Sequence, residues 1–294
     1  MNAFDPRLTP ARADIAADFL AGKVVAGAFV AGRKRAVTAA AAPLRRAPSP
    51  DAPLDTEALH GEAVTVFDTK DGWAWGQLES DGYVGYLRLD DLGAFSAPTH
   101  RVCVPRSFVY PGASIKLPPA AALSLNASVH VRETRGDFAV LEGGRCIFAA
   151  HLSSPREHAP DFVSVAEKFL HTPYLWGGRT SLGLDCSALI QQALAAAGVS
   201  APRDSDMQEK ALGAPLPLDA AAGGLKRGDL VFWKGHVGVM QDAARLLHAS
   251  GHHMMVVSEA LTAARDRIAA KSFGAVTSIR RLQAPAFNFL RSGF

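Results

Sequence analysis

The alternation of apolar and polar positions predicts three structural regions in this 294-residue chain. Between residues 57 and 92, short runs such as AVTVF, WAWGQL and YVGYL are separated by Asp-Gly turns, which is typical of a small antiparallel meander. Residues 100–154 show similar ingredients in VHVRE, FAVLEG and RCIFAAHL. From residue 162 onwards, helical spacing occurs together with the apolar strands LVFW, HVGVM and RLLHAS. The pattern predicts two small all-β regions followed by an α+β region.

The N-terminal residues show no comparable periodicity. Residues 42–56 read APLRRAPSPDAPLDT, and four prolines in such a short stretch predict an extended linker. The predicted boundaries are an N-terminal arm and linker at 1–55, two β domains at 56–98 and 99–155, and the α+β domain at 156–294.

The segment at residues 172–199, TPYLWGGRTSLGLDCSALIQQALAAAGV, organises the third region. From Cys186 onwards, apolar residues recur every three or four positions and Gly198 follows them, which predicts a helix that begins at Cys186. A thiol at a helix start lies near the positive end of the helix dipole and beside free backbone amides. These favour a resting thiolate and can hold an oxyanion. The simpler alternative is a buried structural cysteine.

Two histidines follow on neighbouring predicted strands. His236 opens the strand HVGVM, and His248 lies twelve residues later in RLLHAS. In an antiparallel meander both imidazoles can face the same way. A cysteine, a histidine that takes its proton and a polar residue that orients this histidine are the parts of thiol-dependent acyl transfer. A structural or surface role is the alternative for either histidine alone.

Taken together, the runs WGGRTSLGLDCSALIQ, GDLVFW, HVGV and LLHAS resemble the NlpC-type family of papain-like cell-wall peptidases. The resemblance implies a papain-like core in which Cys186 is the nucleophile, His236 the general base and then acid, and His248 the polar third member. The Cys186 thiolate is then expected to pair with the His236 imidazolium. The resemblance also implies cleavage of a γ-D-glutamyl linkage in peptidoglycan stem peptides.

The β regions are similar to bacterial SH3-like domains, the first by its segments GEAVTV, GWAWGQL and GYVGYL and the second by its turn spacing. The expected fold class is therefore α+β, a papain-like NlpC-type domain preceded by two small all-β SH3-like barrels. This order of domains resembles recycling enzymes that act on free peptide fragments. In that subgroup the first barrel closes the cleft, so the expected partner is an L-Ala-γ-D-Glu-diamino acid peptide with a free N-terminus. Whether the third residue is diaminopimelate or lysine stays open.

The same resemblance implies a set of substrate-binding residues, because a buried ammonium needs acceptor oxygens. The set is Asp185, Ser187, Asp204, Ser205, Glu62 and Tyr83. Capping of the following helix is an alternative role for Asp185. Arg179 and Arg203 are the nearby cations for substrate carboxylates, with a surface or structural role as their alternative.

Composition excludes several other classes of function. A formal net charge of +3 gives little support to a nucleic-acid partner, and the basic run at residues 33–35 is interpreted as solvated surface. No apolar stretch reaches the roughly 20 residues of a membrane span. Three cysteines cannot all pair, and the first residues lack the form of a secretory signal, so a cytoplasmic location is expected.

Neither a metal nor a cofactor is expected. His248, His252 and His253 are close in sequence, but Gly251 interrupts any helix that would align them, and the chain has no CxxC or HExxH motif. Two other functions stay open at this point. One is a catalytically silent module that binds wall peptides or a protein, and the other is a different thiol amidase or acyltransferase.

Overall fold

The structure is a computed structural model that describes residues 4–222 and 224–282. The outer ends of the first and last predicted domains, residues 1–3 and 283–294, lie outside the described residues. Within the described ranges, no helix combines the length and the apolar character needed to cross a membrane.

A seven-stranded antiparallel sheet forms the first β-unit (residues 33–94) of the described chain. Two short strands, β1 (Ala16–Ala17) and β2 (Phe29–Val30), precede it and pair in parallel. The sheet consists of β3 (Arg33–Val37), β4 (Ala41–Arg45), β5 (Leu54–Leu59), β6 (Ala63–Lys70), β7 (Trp73–Leu78), β8 (Val84–Arg88) and β9 (Leu92–Ala94). Its strand order is β5-β4-β8-β7-β6-β3-β9. Val64 and Leu78 are fully buried in its core, as the alternation of AVTVF and WAWGQL predicts.

The proline-rich stretch 42–56 belongs to this sheet, so its prediction as a linker is wrong. Strands β4 and β5 form an antiparallel hairpin. Pro43 lies within β4 opposite Glu57 of β5, whereas β4 pairs with β8 at one residue pair only, so few ladder bonds can be lost on the β8 side. The other three prolines lie in the connection between β4 and β5, where a missing N–H removes no ladder bond. The first β-unit thus begins near residue 33 instead of residue 56.

The second β-unit (residues 100–153) contains two small sheets. Its strands are β10 (His100–Val102), β11 (Arg106–Tyr110), β12 (Ala121–Ser124), β13 (Ser128–Val129), β14 (Val131–Arg135), β15 (Phe138–Leu141), β16 (Cys146–Phe148) and β17 (Leu152–Ser153). They pair in the orders β12-β11-β16-β15-β14 and β13-β10-β17. Leu59 of the first β-unit packs into the core of the second, beside Leu123 and Ile147. The two β-units therefore share apolar contacts.

The α+β region (residues 162–281) has helices on a six-stranded antiparallel sheet. Its elements are α1 (Phe162–Glu167), β18 (Arg179–Thr180), β19 (Gly183–Leu184), α2 (Cys186–Ala196), α3 (Ser205–Ala211), β20 (Ala214–Leu216), β21 (Asp229–Trp233), β22 (His236–Met240), β23 (Arg245–Ser250), β24 (Met255–Ala260), α4 (Leu261–Lys271) and β25 (Ser278–Arg281). The sheet order is β20-β25-β21-β22-β23-β24. Helix α2 starts at Cys186, and its apolar side chains share one core with Val239 and Leu247 of the sheet. The predicted helix start and meander are confirmed.

Buried polar contacts join the first β-unit to the segment around α2. The Arg179 guanidinium binds Glu62 at 2.9 Å, and the backbone N–H of Arg179 donates to Glu57 at 2.8 Å. Arg203 donates to the Thr56 hydroxyl at 2.7 Å. Since both arginines are almost fully buried, breaking the Arg179–Glu62 pair would leave buried charges unpaired, and breaking the Arg203–Thr56 bond would leave a buried N–H without a partner. They hold β5 against the start of α2.

Candidate active site

A cleft of about 400 Å³ opens between the first β-unit and the α+β region. Five sequence-predicted residues of the α+β region line it: Asp185, Cys186, Ser187, Asp204 and Ser205. The first β-unit and the segment before it contribute Arg7, Arg46, Asp55 and Tyr83. The cleft thus brings the predicted nucleophile together with charged groups from a separate part of the chain.

The glycine-rich loop lets β5 approach the start of α2. Gly177 has a φ of 77°, and a Cβ atom there would lie 2.8 Å from the Leu54 side chain and the Leu54 carbonyl oxygen. Its backbone N–H donates to Asp185 Oδ2 at 2.9 Å. A side chain at this position would both strain the backbone and push β5 away, so only glycine fits.

Cys186 is the first residue of α2, and its side chain is almost fully buried at the cleft wall. Asp185 caps the helix by accepting a hydrogen bond from the Ala188 N–H at 2.8 Å. The backbone N–H groups of Ser187 and Val237 both approach the Cys186 sulfur. Because Val237 directly follows His236 in β22, the sulfur lies next to the strand that carries the predicted base.

Loss of hydration decides the charge of both groups in the substrate-free protein. Burial raises the pKa of the Cys186 thiol to about 12, and the Asp185 carboxylate adds to this rise. Burial lowers the pKa of His236 to about 3, with a further contribution from His248. Both groups are therefore neutral at pH 7. The expectation of a resting thiolate is wrong because burial outweighs the helix-start amides.

A hydrogen-bonded relay runs from His236 into the sheet. His236 Nε2 lies 2.8 Å from His248 Nδ1, and His248 Nε2 lies 2.8 Å from Glu259 Oε1. Arg267 holds the same carboxylate with two hydrogen bonds of 2.6 Å. The Phe273 ring stacks on the His236 ring with 5.3 Å between the ring centroids and an interplanar angle of 3°. The ring plane of His236 is thus fixed by stacking and by its hydrogen bond.

This relay determines which nitrogen of His236 is basic. Although partial burial opposes it, hydrogen bonds from His248 and Arg267 hold the pKa of Glu259 well below its usual range. An ionised carboxylate only accepts, so His248 carries its proton on Nε2 and has a lone pair on Nδ1. That lone pair accepts from His236 Nε2–H. His236 Nδ1 is therefore the free basic nitrogen.

Glu259 belongs to this relay, and sequence reasoning missed it. It lies on β24, where Val257 pairs with His248, so Glu259 is two positions from the direct partner and on the same face of the sheet. A long side chain at that diagonal position reaches the imidazole. The spacing of residues in the sequence does not give the register between β23 and β24, and the register is the signal that identifies Glu259.

The two arginines considered for substrate carboxylates are structural. Arg203 binds Asp185 with contacts of 2.6 and 3.0 Å, and Arg179 binds Glu62. Both guanidinium groups are buried away from solvent. Asp185 accepts from Arg203, from its own helix and from the glycine-rich loop, so its oxygens are already occupied. The capping alternative describes Asp185 better than direct substrate binding.

Glu62 does not line the cleft, so its predicted role in binding the substrate amine is wrong. Its carboxylate accepts from the Arg179 guanidinium and from the Leu59 N–H at 2.9 Å, which turns it towards the interior. The acid that the first β-unit places in the cleft is Asp55, at the start of β5. Asp55 pairs with Arg46, whose side chain is mostly exposed. The proline-rich stretch that carries Asp55 hid this residue from sequence analysis.

Asp204 and Tyr83 lie at the cleft wall as predicted, and they contact each other. The Tyr83 hydroxyl donates to Asp204 Oδ2 at 3.1 Å, across the boundary between the first β-unit and the α+β region. Arg7 Nη1 donates to the same oxygen at 2.8 Å. Burial raises the pKa of Asp204, while Arg203 and Arg7 act in the opposite direction. A half-buried carboxylate and a hydroxyl thus border this part of the cleft.

Across residues 4–222 and 224–282, no group of three or more His, Cys, Asp or Glu side chains is placed to hold a metal ion. The rings of His252 and His253 contact each other, and His253 Nδ1 lies 3.1 Å from the Ser250 hydroxyl.

Two family models match the chain, and each of the two matched segments contributes residues to the cleft. The NlpC/P60 family matches residues 171–270, which include Cys186 and the relay. The bacterial dipeptidyl-peptidase SH3 domain matches residues 44–92, which include Asp55 and Tyr83. The cleft therefore lies where these two domains meet.

Individual relatives match more than half of the chain. The chain is 28% identical over 219 residues to the γ-D-glutamyl-L-lysine dipeptidyl-peptidase of Bacillus subtilis, a match that covers 67% of this chain and 72% of that protein. The Bacillus cereus protein of the same name is 27% identical over 209 residues, 61% of this chain and 60% of that protein. Among solved structures, an NlpC/P60 family protein from Bacillus cereus has a TM-score of 0.70 at 20% identity and covers 85% of this chain and 99% of its own. The last comparison shows a shared fold.

Proposed function

Since residues 171–270 carry an NlpC/P60 domain and residues 44–92 a bacterial dipeptidyl-peptidase SH3 domain, we propose that this chain is a γ-D-glutamyl-L-diamino acid endopeptidase. Its substrates are peptidoglycan stem peptides with a free N-terminal L-alanine. The observation that carries the proposal is the relay from His236 through His248 to Glu259 beside a cleft-lining thiol. The names of the relatives in two Bacillus species support the γ-D-glutamyl linkage.

The reaction begins with a neutral pair. His236 Nδ1 takes the proton from Cys186 as the sulfur attacks the γ-glutamyl carbonyl carbon, so charge develops only when substrate is present. The backbone amides at the start of α2 donate to the oxyanion. His236 then gives its proton to the departing amine, and water hydrolyses the thioester. The ordered relay favours a catalytic site over a site that only binds peptides, because binding does not require a basic histidine nitrogen.

The hydroxyl of Tyr174 is a second donor for the oxyanion. This residue lines the cleft, and burial raises the pKa of its hydroxyl. The hydroxyl therefore stays protonated throughout the reaction and can donate a hydrogen bond.

The side of the cleft that borders the first β-unit suits the substrate's N-terminus. Asp55, Tyr83 and Asp204 supply acceptor oxygens there, and a buried ammonium requires such partners. We propose that the first β-unit leaves room for only two residues on the acyl side of the cleaved bond, consistent with the dipeptidyl-peptidase names of the relatives.

We also propose that the second β-unit is a second SH3-like barrel. The three free thiols favour a reducing compartment and a role in recycling peptides in the cytoplasm.

Comparison of L-Ala-γ-D-Glu-L-Lys with its N-acetylated form tests this function. We expect the free peptide to be favoured in kcat/KM by about 10²- to 10³-fold, because acetylation removes the charge that the cleft acids would bind. Product formation is followed by liquid chromatography and mass spectrometry, with the diaminopimelate peptide measured in parallel. Equal rates would contradict the amine recognition, and no cleavage of any of the three peptides would contradict the peptidase assignment.

A further inference from the structure

The segment that precedes the first β-unit is fixed against that unit beside Tyr83. The carbonyl of Arg7 accepts from the Val84 N–H at 2.8 Å, and the carbonyl of Leu8 accepts from the Gln77 amide at 2.9 Å. Further along, Ala17 and Leu20 pack on aromatic side chains of the sheet. The position of Arg7 at the cleft is therefore determined by the first β-unit.

The Arg7 guanidinium joins this segment to the start of α3. It donates to Asp204 at 2.8 Å, to Asp206 at 2.9 Å and to Asp5 at 2.7 Å. Three carboxylates thus surround one guanidinium, and the cluster keeps a formal charge of −2 when all four groups are ionised. Because Asp5 and Asp206 offset the charge of Arg7, a cation approaching Asp204 still meets a negative environment.

Asp204 occupies the N-cap position of α3 but does not cap it. In the same chain, Asp161 and Asp185 hold the equivalent positions of α1 and α2, and each accepts a backbone N–H of its helix at 2.9 and 2.8 Å. The side chain of Asp204 makes no such bond and instead contacts Arg7 and Tyr83 through Oδ2. Among the described residues, nothing donates a hydrogen bond to its Oδ1. An aspartate at an N-cap position usually accepts a backbone N–H of its own helix, and Asp204 instead contacts Arg7 and Tyr83 at the cleft.

We propose that Arg7 is a positioning residue that determines substrate specificity: it holds the Asp204 carboxylate away from its own helix and in the cleft, where Asp204 binds the free N-terminal ammonium of the peptide. This rests on the function proposed above. Tyr83 supports the same orientation from the first β-unit, and Asp204 Oδ1 is the oxygen left for the substrate. The N-terminal segment is accordingly part of the amine-binding site.

The test compares Arg7→Met with Arg12→Met. Arg12 belongs to the same segment, but its partners Asp14, Asp68 and Tyr86 lie outside the cleft. In Arg7→Met we expect the KM for L-Ala-γ-D-Glu-L-Lys to rise about tenfold and the kcat to change less than about twofold, because the reacting atoms are untouched. The preference for the free over the acetylated peptide should fall by a similar factor. Arg12→Met should retain the KM and the preference of the unaltered protein.

Two kinetic results for Arg7→Met would overturn the proposal. A lower KM in Arg7→Met would mean that Arg7 blocks Asp204 instead of positioning it. An unchanged preference for the free amine would mean that Arg7 has no part in amine binding. If the unaltered protein shows no preference for the free amine, the proposed function is contradicted, and the proposal about Arg7 is contradicted as well because it rests on that function.

A crystal structure of Arg7→Met provides a readout that does not depend on activity. Without the guanidinium, we expect the Asp204 carboxylate to turn onto the backbone N–H of Asp206 or Met207 and cap α3. An Asp204 side chain that keeps its place in the cleft would contradict the proposal even if the kinetics changed. The same crystals show whether the N-terminal segment retains its fold.

Discussion

Replacing Cys186 with alanine is expected to lower the kcat for L-Ala-γ-D-Glu-L-Lys by at least about 10⁴-fold, because the reaction then lacks its nucleophile. The two other cysteines of the chain do not line the cleft and cannot substitute for it. The free energy of unfolding should change by only about 1 kcal/mol, since a single sulfur atom leaves little empty volume. Product formation and thermal unfolding measure the two effects separately.

Cys146→Ala is the matched control for this variant. Its thiol is also buried, but it lies on β16 in the second β-unit. We expect full activity and a comparable change in stability. Retention of turnover in Cys186→Ala would contradict thiol catalysis, whereas loss of activity in both variants accompanied by unfolding would point to a structural effect.

The second large effect is expected for Glu259→Gln, which should lower kcat by about 10²-fold with little change in KM. Glutamine can present either an oxygen or an NH₂ group to His248, so the tautomer that leaves His236 Nδ1 basic is no longer enforced. Arg267 also loses its carboxylate and remains as a positive charge near both rings. A merely structural role for Glu259 would not change the kinetics in this way.

The pH dependence of kcat/KM distinguishes these causes. Burial lowers the pKa of His236, and the Glu259 carboxylate acts in the opposite direction and raises it. Its removal therefore lowers this pKa further, so the acidic limb of the profile should move to lower pH as the plateau falls. Glu167→Gln serves as the control, because Glu167 binds Arg227 and Gln241 at the surface. A plateau that stays at its original height in Glu259→Gln would contradict the tautomer argument.

The local features of the fold could be read from the sequence. The start of α2 at Cys186 follows from helical periodicity, and the strands that carry His236 and His248 follow from short apolar runs bounded by turns. Each of these signals lies within about a dozen residues. The parts of the site that depend on one such segment are therefore predictable.

Contacts between distant segments could not be predicted in this way. Glu62 and Asp55 are both acids of the first β-unit, and only the packing of β5 against the glycine-rich loop decides which of them reaches the cleft. The same holds for Arg7, which meets Asp204 across 197 sequence positions. Prolines also concealed the strands between residues 41 and 59, because a hairpin with a proline-rich connection resembles a linker in composition.

In the proposed mechanism, a thiol of this chain forms a covalent bond with the acyl part of the peptide. Rapid mixing with L-Ala-γ-D-Glu-L-Lys, acid quenching and peptide mass spectrometry test it directly. We expect an L-alanyl-γ-D-glutamyl adduct on the proteolytic fragment that contains Cys186. Hydrolysis that proceeds without any adduct, and at an undiminished rate in Cys186→Ala, would contradict it.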